Sequence, residues 1–202
     1  MALLLAGRRA DSGTMLLAGV AIALAAGAGT SLLLALAPSP FAFYDSFAWL
    51  MGSFVDRSLP QAAAALIPAT VACAMLARHA RALDVMALGD DVAASTGFAP
   101  RRVTVQVVVL SAIAVGTCVA VCGAIGFVGL IAPFVARRMT RGHPGRALLP
   151  AALVGALLML LADLALRLGP PGRDIPVGVL TTVAGTPLFL WIVVTMRRGL
   201  TS

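Results

Sequence analysis

Long apolar runs constrain this chain more than any other feature. Five of them occupy residues 14–37, 60–78, 103–122, 147–168 and 176–196. Because an α-helix needs about 20 apolar residues to cross the hydrocarbon core of a bilayer, each run predicts one spanning helix. The mean hydropathy of +1.01 and the charged fraction of 11% agree with this prediction. We therefore expect an all-α, polytopic membrane protein, with residues 1–202 forming a single transmembrane domain.

A shorter segment at residues 124–139 is a sixth candidate. It contains Gly126, Gly129 and Pro133. As a helix it would reach only about 24 Å. The segment either spans a thinned, protein-lined region or re-enters the membrane from one side.

The arginines distinguish these two arrangements. All 15 basic residues are arginine. With six spans, 12 of them share one side of the membrane and only Arg57, Arg167 and Arg173 lie on the other, whereas re-entry gives a split of 8 to 7. Since cytoplasmic loops carry the excess of basic residues, we predict six spans with both termini in the cytoplasm. Arginine clusters between apolar runs indicate topology rather than nucleic-acid binding.

The first apolar run also has features of a secretory signal peptide. Arg8 and Arg9 precede it, and it ends in Ala-Leu-Ala at residues 35–37. However, it is longer than the apolar core of an ordinary signal peptide, and Pro38 would follow the cleavage site. We therefore interpret it as the first span.

Small and hydroxylated residues within this first span have two interpretations. Gly27, Gly29, Thr30 and Ser31 either line a wet translocation pathway or permit close packing against another helix. The residues alone favour neither interpretation.

The segment at residues 38–59 is predicted to lie outside, in the membrane interface. It concentrates aromatic side chains, including Tyr44 and Trp49, at helical spacing. Aromatic side chains of this kind are enriched where the bilayer meets water. We expect an interfacial helix rather than a seventh span.

Cysteine and histidine do not form a recognisable site. Cys73, Cys118 and Cys122 lie inside apolar segments and are interpreted as packing residues. His79 and His143 stand beside arginines without the spacing of metal ligands. No metal site and no cofactor are predicted.

The loop at residues 79–100 contains a polar stretch, Ala-Leu-Gly-Asp-Asp-Val-Ala-Ala-Ser-Thr-Gly, and is predicted to be cytoplasmic. It has the residues for two short helices at an angle: Asp84 to cap the first, Gly89 to end it, Asp90 to cap the second, Asp91 in its first turn and Gly97 to close it. Such a rigid elbow, joined to spans at both ends, is suited to receiving force from another protein.

Several motifs in this order resemble the permease subunits of bacterial ABC importers for iron-siderophores, haem and vitamin B12. The polar stretch is similar to the coupling loop of that family. Three further segments look like signature segments of the same family: "CGAIGFVGLIAPFVARR" from Cys122, "LLPAALVGALLMLLADLALR" from Leu148 and "IPVGVLTTVAGTPLFLW" from Ile175. The resemblance covers nearly the whole chain from Arg9.

The resemblance implies a fold and a set of partners. The fold is a helical bundle whose six spans resemble the last six of about ten in the family, which suggests a truncated gene product or one part of a split permease. The partners are a second permease subunit, cytoplasmic ABC ATPase subunits, an extracytoplasmic substrate-binding protein and membrane lipid. The location is the bacterial inner membrane. The chain itself has no GxxxxGK[ST] phosphate loop, so it is not expected to hydrolyse ATP.

The resemblance also assigns roles to residues. It implies ATPase coupling by Asp90, Asp91, Ala93, Ala94 and Gly97, and contact of Arg167 with the binding protein. Two departures affect the substrate subclass: the family commonly has histidine where this chain has Phe134, and a "DHR"-like element where it reads Gly-His-Pro-Gly-Arg from Gly142.

Asp163 raises two alternative functions. An acid in a spanning helix is a candidate for proton coupling in a secondary carrier or for catalysis in an intramembrane enzyme. However, it lies four residues before Arg167, which also allows a structural ion pair. We expect the importer, with docking by Arg167 and pairing to Asp163 left as equal alternatives.

Overall fold

The computed structural model describes residues 12–55, 57–169 and 175–198. The predicted roles of Arg8, Arg9 and Arg173 lie outside these residues. Within them the backbone forms nine helices and no strand: α1 (Ser12–Ala35), α2 (Pro40–Leu50), α3 (Leu59–Arg78), α4 (Ala80–Met86), α5 (Asp90–Ser95), α6 (Pro100–Cys122), α7 (Val128–Met139), α8 (Leu148–Arg167) and α9 (Val177–Arg198).

The long helices confirm the all-α membrane fold. Segments of 20 to 23 residues in α1, α3, α6 and α8 are long and apolar enough to cross a membrane. Helix α9 has 22 residues, of which Val177–Leu190 are apolar. Large apolar side chains such as Leu17 and Leu149 are exposed, at 73% and 70%. Exposed side chains of this kind suit contact with lipid tails rather than water.

The sixth predicted span differs from its expected bounds. Helix α7 begins at Val128, four residues later than the predicted start, and has 12 residues, or about 18 Å. Residues 123–126 are non-helical, and Phe127 has a left-handed φ of 65°. Gly123 and Gly126 weaken the start of a helix here because glycine has high backbone entropy.

The described residues divide between Ala48 and Trp49 into two compact units. The first unit contains α1 and most of α2. Helix α2 forms inside the predicted interfacial segment, with Phe43 and Phe47 stacked at 6.1 Å between ring centroids. Phe41 and Tyr44 are exposed, at 86% and 69%. The position of this helix in the membrane interface stays a prediction.

In the second unit the helices pack in pairs. Helix α3 packs along α6 through a stripe of buried alanines, Ala65, Ala69 and Ala72. Helix α7 packs along α8, where Gly155 lies against the Cβ of Ala132. Small residues at these positions allow the helix backbones to approach closely, which is how helices associate in a membrane.

Local sequence signals explain where α3 begins and ends. At its start Ser58 and Gln61 form a reciprocal capping box, and Pro60 occupies the first turn. At its end His79 contacts the carbonyl of Met75 and the side chain of Gln106 on α6, at 3.0 and 2.9 Å. His79 therefore ties α3 to α6 at the point where the loop to α4 leaves.

Candidate functional site

The polar stretch belongs to two short helices, α4 and α5, as predicted, and we keep the name elbow for residues 80–97. Helix α4 ends before Gly89, whose φ is 120°, and α5 follows directly. At the end of α5, Gly97 has a φ of 89°; its N–H donates to the Ala94 carbonyl, and the N–H of Phe98 donates to the Ala93 carbonyl, both at 3.1 Å. This is the Schellman pattern, which stops a helix sharply. The prediction that Gly97 closes the second helix in a left-handed conformation is confirmed.

Two predicted caps are wrong. Helix α4 begins after His79, so Asp84 lies inside it, and its Oδ1 instead accepts a hydrogen bond from the N–H of Gly145 at 2.7 Å. Helix α5 is preceded by Gly89 without a side-chain cap, so Asp90 is its first residue. Asp90 and Asp91 nevertheless occupy the first turn, where a negative charge interacts favourably with the helix dipole.

The predicted coupling residues do not all face the same way. Asp90, Asp91 and Ala94 are exposed, whereas the Ala93 side chain is fully buried and anchors α5. Two exposed apolar residues lie beside the acids: Leu88 at 73% and Val92 at 41%. Neither was predicted from the sequence, because an isolated apolar residue in a loop gives no periodic signal.

The predicted pathway residues lie on α1. Gly27, Thr30 and Ser31 share one face of the helix by their three- and four-residue spacing, while Gly29 lies on the opposite face. The Thr30 hydroxyl donates to the Ala26 carbonyl at 3.0 Å, and an added Cβ at Gly27 would have no neighbour within 4 Å. An added Cβ at Gly29 would likewise have no neighbour within 4 Å, so neither face is covered at these glycines.

Three glycines form a junction that was not predicted from the sequence. A Cβ added at Gly178 would collide with the carbonyl oxygen of Met51, and one added at Gly123 would collide with that of Trp49. The N–H of Gly178 donates to the Gly52 carbonyl at 3.2 Å, and the N–H of Ser53 donates to the Cys122 carbonyl at 2.9 Å. We name Gly52, Gly123 and Gly178 the glycine junction; it joins the chain before α3, the end of α6 and the start of α9.

Phe127 connects α7 to α9. Its ring lies 6.3 Å from the ring of Phe189, centroid to centroid, in an edge-on arrangement. An added Cβ at Gly185 would lie 2.6 Å from both the Cβ and the Cγ of Phe127. The absent side chain at Gly185 therefore makes the space that Phe127 occupies.

Asp163 is held by an ion pair. The Nε of Arg167 donates to Asp163 Oδ2 at 2.7 Å, so the predicted structural pair is present. In the part of the chain that the structure describes, no group of three or more metal-ligating side chains comes together. The contact that the structure shows for Asp163 is therefore the structural pair with Arg167.

The two departures from the family motifs have local contacts. The Arg138 guanidinium lies over the Phe134 ring, 5.6 Å from its centroid, a cation–π arrangement. His143 precedes the tight turn whose Gly145 reaches Asp84. In this chain, therefore, Phe134 packs against Arg138, and the segment that contains His143 leads into the contact with α4.

Long apolar helices with two short polar helices between two of them define an all-α, multi-pass membrane protein. The FecCD transport family model matches residues 1–195, and the chain belongs to this family. The importer interpretation is therefore supported over the carrier and enzyme alternatives.

Individual relatives agree with the family. The chain is 40% identical over 149 residues to the Fe(3+)-citrate import system permease protein YfmE of Bacillus subtilis, covering 71% of this chain and 43% of that protein. It is 40% identical over 153 residues to the hemin transport system permease protein HmuU of Yersinia pestis, covering 74% and 45%. It is 33% identical over 196 residues to the vitamin B12 import system permease protein BtuC of Citrobacter koseri, covering 96% and 58%.

A solved structure agrees as well. The chain superposes with a TM-score of 0.80 and 30% identity on a protein described as a metal-chelate type ABC transporter in an inward-facing conformation, covering 90% of this chain and 59% of that one. The chain spans about half the length of the curated relatives that it matches.

Proposed function

We propose that the chain is a permease component of an ATP-driven importer in the bacterial inner membrane, with both termini in the cytoplasm. Its cargo would be a metal chelate of the iron-siderophore, haem or cobalamin type. The observation that carries this proposal is the family match across residues 1–195, in a chain whose polar loop folds into two short helices.

The elbow supports a docking role for a cytoplasmic ABC ATPase. Asp90, Asp91 and Ala94 expose acidic and small side chains, and Leu88 and Val92 add apolar area beside them. Gly97 fixes the exit angle of the elbow, and buried Ala93 holds α5 in place. ATP hydrolysis belongs to the partner, and the elbow receives the resulting displacement.

On the opposite side, Arg167 is proposed to contact a substrate-binding protein. Its side chain is 69% exposed, although it also pairs with Asp163. The proposed pathway follows α1, where Gly27, Thr30 and Ser31 share one partly polar face and Gly29 lies on the opposite face; an added Cβ at either glycine would have no neighbour within 4 Å. A second permease subunit and lipid complete the assembly, and no nucleic acid is involved.

Reconstitution into proteoliposomes tests this function. The chain is combined with its ATPase and binding protein. A parallel sample also contains a second polypeptide, which supplies the part of the relatives' length that this chain does not cover. We expect ATP-dependent uptake of one labelled chelate that disappears when the binding protein is omitted. Uptake driven by a proton gradient without ATP would contradict the proposal.

A further inference from the structure

A contact between two loops on the predicted cytoplasmic side has no place in the function described so far. Asp84 lies in the middle of α4, and Gly145 lies in the turn that joins α7 to α8. The N–H of Gly145 donates to Asp84 Oδ1 at 2.7 Å, although the two residues are 61 positions apart. The elbow is thereby attached to the α7–α8 hairpin by a bond to a carboxylate, which is stronger than a bond between neutral groups.

The fit at this contact is tight. An added Cβ at Gly145 would collide with the carbonyl oxygen of Ala80 and would lie 2.8 Å from Asp84 Oδ2. Gly145 itself is buried, and Ala147 behind it is only 5% exposed. The backbone of the turn therefore lies directly against α4, and no flexible side chain separates them.

The turn is internally braced. The N–H of His143 donates to the Thr140 carbonyl at 3.2 Å, and that of Ala147 donates to the His143 carbonyl at 3.1 Å. The Thr140 hydroxyl donates to the carbonyl of Ala136, the last buried residue of α7, at 3.0 Å. A turn held in this way transfers a displacement to α7 rather than absorbing it.

From this turn, packed contacts continue to the other end of the hairpin. Ala132 and Val128 of α7 lie against Gly155 of α8, at 3.6 and 3.7 Å from its added Cβ. At the start of α7, Phe127 packs between Gly185 and Phe189 of α9. A contiguous set of contacts therefore leads from α4 to α9, and energetic coupling requires a physical connection of this kind.

We propose that Asp84 is a positioning residue that transmits displacement of the elbow into the α7–α8 hairpin. This rests on the proposed function, in which an ATPase moves the elbow. The elbow is covalently continuous only with α3 and α6, and the Asp84 carboxylate extends its reach to α7, α8 and, through Phe127, α9. The glycine at position 145 is required because the turn must approach α4 backbone to backbone.

Two substitutions separate the hydrogen bond from the bulk of the side chain. Asp84→Asn keeps an oxygen that accepts from the Gly145 N–H, whereas Asp84→Ala removes it. In the assembled transporter, we expect Asp84→Ala to bind the ATPase normally and hydrolyse ATP, while uptake per ATP falls about fivefold or more. Asp84→Asn should restore uptake per ATP to within about twofold of wild type.

Hydrogen–deuterium exchange provides a readout that does not depend on uptake. When a non-hydrolysable ATP analogue binds the ATPase–permease complex, exchange in residues 128–147 should change in wild type and in Asp84→Asn, but not in Asp84→Ala. Wild-type uptake per ATP in Asp84→Ala would overturn the inference, as would loss of ATPase binding in that variant, which would indicate a purely structural role.

The same experiment distinguishes failure of the inference from failure of the proposed function. Absence of ATP-driven uptake in wild type would reject the importer. The exchange measurement would still decide the inference: if ATPase binding at the elbow leaves residues 128–147 unchanged in wild type, Asp84 transmits nothing.

Discussion

The Nε of Arg167 donates a hydrogen bond to Asp163 Oδ2 at 2.7 Å, one turn earlier on α8. A guanidinium has five N–H donors, and this bond uses one of them. The Arg167 side chain is also 69% exposed. Pairing with Asp163 and docking to another protein are therefore compatible: the carboxylate orients the arginine, and the remaining donors stay available.

The first prediction concerns this arginine. Arg167→Glu should weaken binding of the substrate-binding protein by about tenfold, or ~1.4 kcal/mol. The reason is that the new negative charge would face the carboxylate that we expect on the binding protein. The loss should shrink at high salt, since exposed charges are screened over about 8 Å at physiological ionic strength. Surface plasmon resonance at two salt concentrations measures it. As a control, Asp163→Asn should retain most binding; unchanged affinity in Arg167→Glu would leave Arg167 only its structural pairing.

The second prediction concerns the left-handed glycine of the elbow. An added Cβ at Gly97 meets no atom within 4 Å, so the cost of a side chain there arises from its φ of 89° alone. Gly97→Val should strain the backbone by about 1–2 kcal/mol, whereas Gly97→Asn should cost less because asparagine tolerates this conformation. Membrane insertion should survive in both, and ATP-driven uptake should fall more in the valine variant. Equal uptake in the two would show that the elbow angle is not used.

The third prediction concerns the acids at the start of α5. Replacing Asp90 and Asp91 with lysine opposes the helix dipole and reverses the charge of the proposed docking face. We expect ATPase affinity to fall about tenfold or more, measured by co-purification of the ATPase with the detergent-solubilised permease. Ser95→Ala, on the same short helix, is the matched control. Wild-type affinity in the double lysine variant would remove these acids from the ATPase contact.

The fourth prediction compares two glycines that are each the second residue of a helix and follow a valine. A methyl group at Gly178 would meet the backbone oxygens of Met51 and Ala124, whereas one at Gly129 would meet nothing within 4 Å. Gly178→Ala should therefore destabilise the protein by about 2–3 kcal/mol. Gly129→Ala should be neutral or stabilising by up to about 1 kcal/mol. Thermal unfolding in detergent measures both, and equal melting temperatures would contradict the close contact at the glycine junction.

The fifth prediction concerns topology. Single cysteines at Asp45 and Arg173, in a background without the three native cysteines, should react with an impermeant reagent added to intact cells. Cysteines at Asp90 and His143 should react only after the membrane is permeabilised. The reason is the distribution of arginines, which places the second pair in the cytoplasm. External labelling at position 143 would reject the six-span arrangement.

The sequence predicted what depends on neighbouring residues. Hydropathy located the long helices to within about three residues, because burial in lipid requires uninterrupted apolar runs. The left-handed Gly97 was also predictable, since the end of a short helix has its own local chemistry. Asp91 was placed in the correct turn of α5 for the same reason, whereas Asp90 was expected one position too early, at the cap.

Contacts between distant segments were not predictable in this way. Asp84 was expected to cap a helix, but its partner is a backbone N–H in the turn between α7 and α8. The glycine junction was not predicted because the residues next to Gly52 and Gly178 in the sequence do not indicate which distant carbonyl will contact each glycine. Such glycines have the same local signal as those that merely punctuate loops.

The bond from the N–H of Gly178 to the Gly52 carbonyl also has a consequence for the order of assembly. Its two ends are synthesised far apart in time, since most of the chain is translated between them. The bond cannot form until Gly178 has been synthesised, and contacts of high sequence separation are slow to close. We expect the earlier helices to insert before the carbonyl of Gly52 accepts its hydrogen bond from Gly178. Packing of α9 would then complete the folding of the second unit.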